Sequence, residues 1–173
     1  MGMDVYGLKP KNEKGSYFRN NVWWWRPLWN YCGSVDPTLF ERVPGGHYNS
    51  GDGLKTPEEA EALGFLLLKK IDSGAVKKAE ADYNTEKANL PMEKCELCES
   101  TGIRKDSVGV EMGMPEKELD ESVAIVVGRS KGWCNACNGL GERPSFATSY
   151  DFTEDNVKEF ALFLISCGGF EIW

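Results

Sequence analysis

Two short stretches limit what this chain can become. Cys95-Glu96-Leu97-Cys98 and Cys134-Asn135-Ala136-Cys137 each place two thiols two residues apart. In both, a glycine stands four positions after the second cysteine, as Gly102 and Gly141. The second copy also has Gly139 where the first has Ser100. A Cys-x-x-Cys turn aims two sulfurs at one point. The glycines behind it let the backbone fold back so that N–H groups face the thiolates. One turn supplies two ligands, and a closed structural site takes four in a tetrahedron. Two turns therefore make one complete site. Its expected ligands are Cys95, Cys98, Cys134 and Cys137, and zinc is the expected ion.

The rival uses of cysteine fit less well. A thioredoxin-like redox motif needs one Cys-x-x-Cys in a βαβ setting and has no use for a duplicate. A disulfide framework suits a small secreted chain, and no apolar leader opens this sequence. Cys32 and Cys167 stand alone and read as buried free thiols.

The pattern Cys-x-x-Cys-x-Gly-x-Gly, complete in residues 134–141 and broken only at Ser100 in residues 95–102, resembles the repeat of the DnaJ-type cysteine-rich zinc domain. That family carries four repeats and two zincs, so two repeats imply one zinc. No J-domain signature accompanies them, and chaperone activity is not implied. The opening MGMDVYG, the run YFRNNVWWWRPLWNYC and the ending CGGFEIW are similar to small uncharacterised phage and bacterial proteins. That resemblance implies a prokaryotic or phage setting and supplies no activity.

At 173 residues the chain is long enough to bury a real core. No run approaches the roughly 18 apolar residues of a membrane helix, so a cytoplasmic protein is expected. The formal net charge is −7, and four thiolates with one Zn²⁺ bring it to −9. The charge is uneven. Residues 1–31 hold Lys9, Lys11, Lys14, Arg19 and Arg26 against Asp4 and Glu13, a balance of +3 that leaves −10 for the rest. An acidic body disfavours non-specific nucleic-acid binding.

Local signals place the elements. Residues 1–20 read as an extended arm or short strand. Val22–Trp25 suit a strand by propensity, with Trp23 and Trp25 on one face and Trp24 on the other. Pro27 then opens a short helix over 27–33, and Asp36-Pro37 another over 37–42. Residues 44–54 are a loop by composition. Thr56-Pro57-Glu58-Glu59 is a strong helix start, followed by apolar spacing through Ile71 and a stop at Gly74. A more polar helix covers 75–88. Between the knuckles, the SVGVEM and SVAIVVG segments read as strands. Thr153 starts a last helix that runs to about Ser166, and FEIW closes a sheet edge. The expected class is α+β: helices packed around a small antiparallel sheet, one domain over 1–173, with a zinc-ribbon-like four-cysteine module inserted at 92–143.

Three functional readings follow. A four-sulfur site has no open position for water or substrate, so the expected metal is structural rather than catalytic. That favours a binding protein acting through a macromolecular partner, a protein first of all, and in a phage setting an accessory or inhibitor of a host system. Trp23, Trp25 and Trp29 beside Arg19 and Arg26 are the candidate contact residues, competing with a plain role in the core. The same basic aromatic arm makes nucleic-acid binding the second reading, since aromatic faces stack bases. The third is an enzyme using His47, the only histidine, as a general base oriented by Asp52. Against it, a Gly-rich loop uses Asn49 and Asp52 to satisfy its own backbone.

Overall fold

The computed structural model describes residues 2–173. In chain order the elements are β1 (Gly2–Gly7), β2 (Tyr17–Asn21), α1 (Val22–Val35), α2 (Leu39–Arg42), α3 (Pro57–Asp72), α4 (Ala75–Ala88), β3 (Glu93–Lys94), α5 (Ser107–Glu111), α6 (Glu121–Val127), β4 (Glu142–Arg143), α7 (Glu154–Cys167) and β5 (Phe170–Ile172). The protein is α+β. Its contacts divide it into two compact units. One runs to Ala88 and resumes over Ser149–Trp173; the other is Asn89–Thr148.

The first unit holds a three-stranded antiparallel sheet, ordered β2-β1-β5. Val5 on the central strand pairs with Phe18 on one side and Ile172 on the other. Alternation puts Met3, Val5, Phe18, Phe170 and Ile172 into the core. The ends of the chain thus meet in one sheet, as the FEIW segment led us to expect for an edge strand. Helices cover the inner face, and α3 and α7 make the largest helix pair. Leu63 and Leu67 of α3 meet Phe160 and Leu164 of α7 in the cluster of buried side chains.

The helix ends follow local chemistry. Thr56 Oγ1 accepts from the Glu59 N–H at 3.3 Å and donates to the Glu59 carboxylate at 2.8 Å. Glu59 therefore closes the cap through the Thr56 hydroxyl rather than its backbone N–H. Thr153 caps α7 through the Asn156 N–H, and Glu80 of α4 accepts the Glu154 N–H at 2.9 Å. Gly168 ends α7 at φ 66°, the left-handed conformation that glycine tolerates best.

The tryptophan run is helical, not a strand. Asn21 accepts from the N–H groups of Trp23 and Trp24 at 3.0 and 3.1 Å, starting α1 at Val22, the first residue of the expected strand. From there Trp25, Leu28, Trp29 and Cys32 repeat at i, i+3, i+4 and i+7 and form one buried stripe. The Trp25 and Trp29 rings stack at 5.3 Å. Pro27 lies inside the helix and cannot donate to the Trp23 carbonyl. That carbonyl accepts from the Asp151 N–H at 3.1 Å instead, so the break in the ladder carries no unpaired group. Gly46 packs flat on Trp29, where any Cβ would overlap the indole, and its carbonyl accepts from Trp25 Nε1 at 2.8 Å.

The second unit also departs from expectation. The segments read as strands between the knuckles are the short helices α5 and α6. Their β-branched residues suit a sheet, but a strand needs a partner, and Glu118↔Lys131 is the one isolated bridge in this stretch. Asp106 caps α5 through the Gly109 N–H at 2.9 Å. Gly113 and Gly128 follow the two helices in left-handed conformations. The strands of this unit lie outside the knuckles: β3 leads into the first and pairs with β4, which leaves the second.

Candidate metal centre

The two knuckles have the same backbone. Glu99 and Ser100 take φ of 51° and 63°; their counterparts Asn138 and Gly139 take 51° and 85°. Gly102 and Gly141 also have positive φ, at 71° and 85°. In each knuckle this curl presents an N–H to the second sulfur. Gly102 N–H donates to Cys98 Sγ and Gly141 N–H to Cys137 Sγ, both at 3.2 Å. The knuckles also lock together. A Cβ on Gly102 would land on the Gly139 carbonyl, and one on Gly141 on the Ser100 carbonyl. Cys95 N–H donates to the Gly141 carbonyl at 2.9 Å.

The packing brings four buried sulfurs together. All lie within 4.8 Å of one another. Cys95 Sγ is 3.9 Å from Cys134 Sγ, and Cys98 Sγ is 3.7 Å from Cys137 Sγ. A disulfide needs about 2.0 Å, so these pairs are thiols in contact. A tetrahedron with metal–sulfur bonds of about 2.3 Å has edges of about 3.8 Å, which these two pairs match. The four cysteines therefore form a plausible metal-binding site. Without a cation, burial pushes the Cys98 thiol up to about 12 and raises that of Cys134. Burial acts upward on Cys95 too, but hydrogen bonds from Cys98 and the neighbouring thiols outweigh it and lower this one. Thiolates gathered in one cage repel one another, a charge that a bound cation would offset.

The surroundings of the cage were hidden in the sequence. Arg129 donates to the Gly139 carbonyl at 2.7 Å and fixes the second knuckle from outside. Arg104 sits near Cys134, hydrogen-bonded to Asn135 at 3.1 Å and held by Asp106. Of the two, only Arg104 is close enough to a cage thiol to interact with its charge, and Asp106 already pairs with that arginine. The only sequence signal was two arginines flanking the knuckles, which has no specificity by itself.

The other candidate residues fall elsewhere. Trp25 and Trp29 are 0% exposed and cannot meet a partner; their indoles form the centre of the first unit's core. Trp23 is half-buried, its ring edge-on to Tyr150 at 5.0 Å. Arg26 donates to the Tyr150 hydroxyl at 2.9 Å. Arg19 stays exposed, beside Asp4 at 3.5 Å. It lines an open cleft of about 990 Å³ with Trp24 and Lys77, but Glu80, Glu154, Asp155 and Glu159 line it too. Four carboxylates against two cations make a poor seat for a phosphate backbone. His47 and Asp52 do not form a pair. His47 Nε2 meets Asn30 Oδ1 at 2.8 Å, with its ring against Phe40, and burial lowers its pKa. The Asp52 carboxylate accepts the N–H groups of Gly45 and Gly53, both at 2.8 Å, and so shapes its own loop.

No protein-family model matches this chain, and neither a curated protein nor a solved structure is significantly similar to it. No helix among the described residues is long and apolar enough to cross a membrane.

Proposed function

We propose that this is a zinc-stabilised protein that works by binding another macromolecule, in the first place a protein. The observation that carries the reading is the closed cage: four buried sulfurs at tetrahedral spacing leave no position for water or substrate. Cys95, Cys98, Cys134 and Cys137 would hold the ion, and bound zinc would supply cross-linking rather than catalysis. Zinc is favoured over an iron–sulfur cluster because the cage has room for one ion, whereas the atoms of a cluster would hold the sulfurs further apart. A protein partner is favoured over nucleic acid because two of the tryptophans in the basic arm are core residues, and the cleft beside Arg19 is lined mainly by carboxylates. The separation of His47 from Asp52 weighs against the enzyme reading. In a cytoplasmic, phage-like setting such a protein would serve as an accessory factor or inhibitor of a host system.

Two measurements test this. Elemental analysis of protein purified without added metal should give about one zinc per chain. Tagged wild-type chain should then retain a stoichiometric protein from native-host extract, identified by mass spectrometry. Submicromolar binding of labelled single-stranded DNA or RNA that survives physiological salt would overturn the choice of partner. A metal-free protein with its second unit folded would overturn the choice of scaffold.

A further inference from the structure

The second unit exposes much apolar surface for its size. Ile125 and Val126 of α6 are 76% and 74% exposed, and α6 buries none of its described side chains. Beside α6 lies a groove of about 410 Å³ walled by Leu119, Val123, Trp133 and Leu140, with Glu118 and Asp120 at its rim. Its floor is the second knuckle. A Cβ on Gly139 would come within 2.9 Å of Leu119 and 3.6 Å of Trp133. The curl that holds the cage thus also seats the groove walls.

Carboxylates outnumber cations at this groove, Glu118 and Asp120 against Lys117. Among the described residues, Glu118, Asp120 and Glu121 take part in no ion pair; Glu116 is 3.8 Å from Lys131. The one cation on the wall, Lys117, lies 3.4 Å over the Trp133 ring. The aromatic quadrupole holds that ammonium, so this face of the indole is already taken and Lys117 is drawn away from the carboxylates. Apolar walls with Glu118 and Asp120 in the same lining, neither in an ion pair, are complementary to a segment that carries both aliphatic and basic side chains. They are not complementary to a polyanion or an acidic peptide.

We infer that this groove is a docking site for a peptide segment of a protein partner in which an aliphatic side chain lies next to a lysine or arginine. The aliphatic group enters between Leu119, Val123 and Leu140. The cation sits at Glu118 and Asp120. This deepens the protein-binding reading above and rests on it.

The test uses the metal-loaded full chain and three fluorescein-labelled decapeptides, alternating Leu with Arg, Leu with Glu, and Ser with Arg. Anisotropy at near-physiological salt should show the Leu-Arg peptide binding at least about tenfold more tightly than either other peptide. Val123→Glu should remove that binding. Asp120→Lys changes an exposed residue whose side chain makes no cap hydrogen bond, and the variant's fold is checked through its metal content. It should weaken the Leu-Arg peptide about tenfold and strengthen the Leu-Glu peptide. Each variant is first shown to hold a full metal equivalent. Equal binding of the Ser-Arg peptide, or no effect of Asp120→Lys, overturns the inference. So does a dimer of the wild type that Val123→Glu dissociates, since a second copy then covers the groove. If wild type and both variants capture the same host protein equally, the groove is wrong and the protein-binding reading stands. If no host protein is retained at all, that reading fails by itself.

Discussion

Removing the metal should unfold the second unit and leave the first standing. The reason lies in what each unit buries. The first has Trp25, Trp29, Phe160, Phe163, Phe170 and the leucines around them. In Asn89–Thr148 the buried apolar side chains are the four cage cysteines and Met114. Burial of one methionine contributes about 1.5–3 kcal/mol, and ordering each backbone residue costs about 1–2 kcal/mol. The hydrophobic effect alone cannot hold this segment. Assembly of a structural zinc site in small peptides stabilises the folded state by about 10–16 kcal/mol. Even ~4 kcal/mol of lost stability is roughly a thousandfold in amide protection. Hydrogen exchange read by mass spectrometry, with and without a strong chelator, should show protection collapsing across 89–148. The N–H groups of Cys95, Ser100, Gly102 and Gly141 should lead. Amides of β1, α3 and α7 should keep their protection. Cys137→Ser should reproduce the pattern. Less than a tenfold loss over 89–148, with metal removal verified, would refute the reasoning. Loss of α3 and α7 at the same chelator concentration would refute the independence of the units.

Three further outcomes are expected. Ser100→Gly relieves a side chain from φ 63° and should stabilise the metal-loaded unit by up to about 1 kcal/mol, whereas Gly141→Ala drives a Cβ into the Ser100 carbonyl and should release metal to a chromogenic chelator far faster. Burial pushes the Cys167 thiol from 9.0 up to about 11 and that of Cys32 higher still, so the unfolded chain ionises first. The first unit should therefore keep this contribution to stability below about pH 9 and lose it as pH rises towards 11, a loss that Cys167→Val reduces in urea melts. Asn21→Ala removes the acceptor for two N–H groups at the start of α1 and should cost about 1 kcal/mol in the same melts, with an unchanged metal content.

The sequence by itself determined what depends on neighbours along the chain. The four-cysteine cluster was legible because a Cys-x-x-Cys turn with glycines behind it is a local device, and two such turns supply four sulfurs. Helices α3 and α7 were legible because a cap residue, an apolar stripe and a glycine stop all lie within one segment, and α4 was legible from helical spacing alone. Tertiary structure decided the rest. Val22–Trp25 became the first turn of α1 because Asn21 caps it and the Trp25–Trp29 stripe finds a core, which outweighs β propensity. The spacer segments became helices because no strand came to pair with them. His47 turned to Asn30, and Asp52 to the N–H of Gly45, because loop backbone groups claimed the carboxylate first. The groove over Gly139 exists only where the folded chain gathers Leu119, Val123 and Trp133. Each of these depends on which neighbours the folded chain brings into contact, and the local propensity of the segment does not encode that choice.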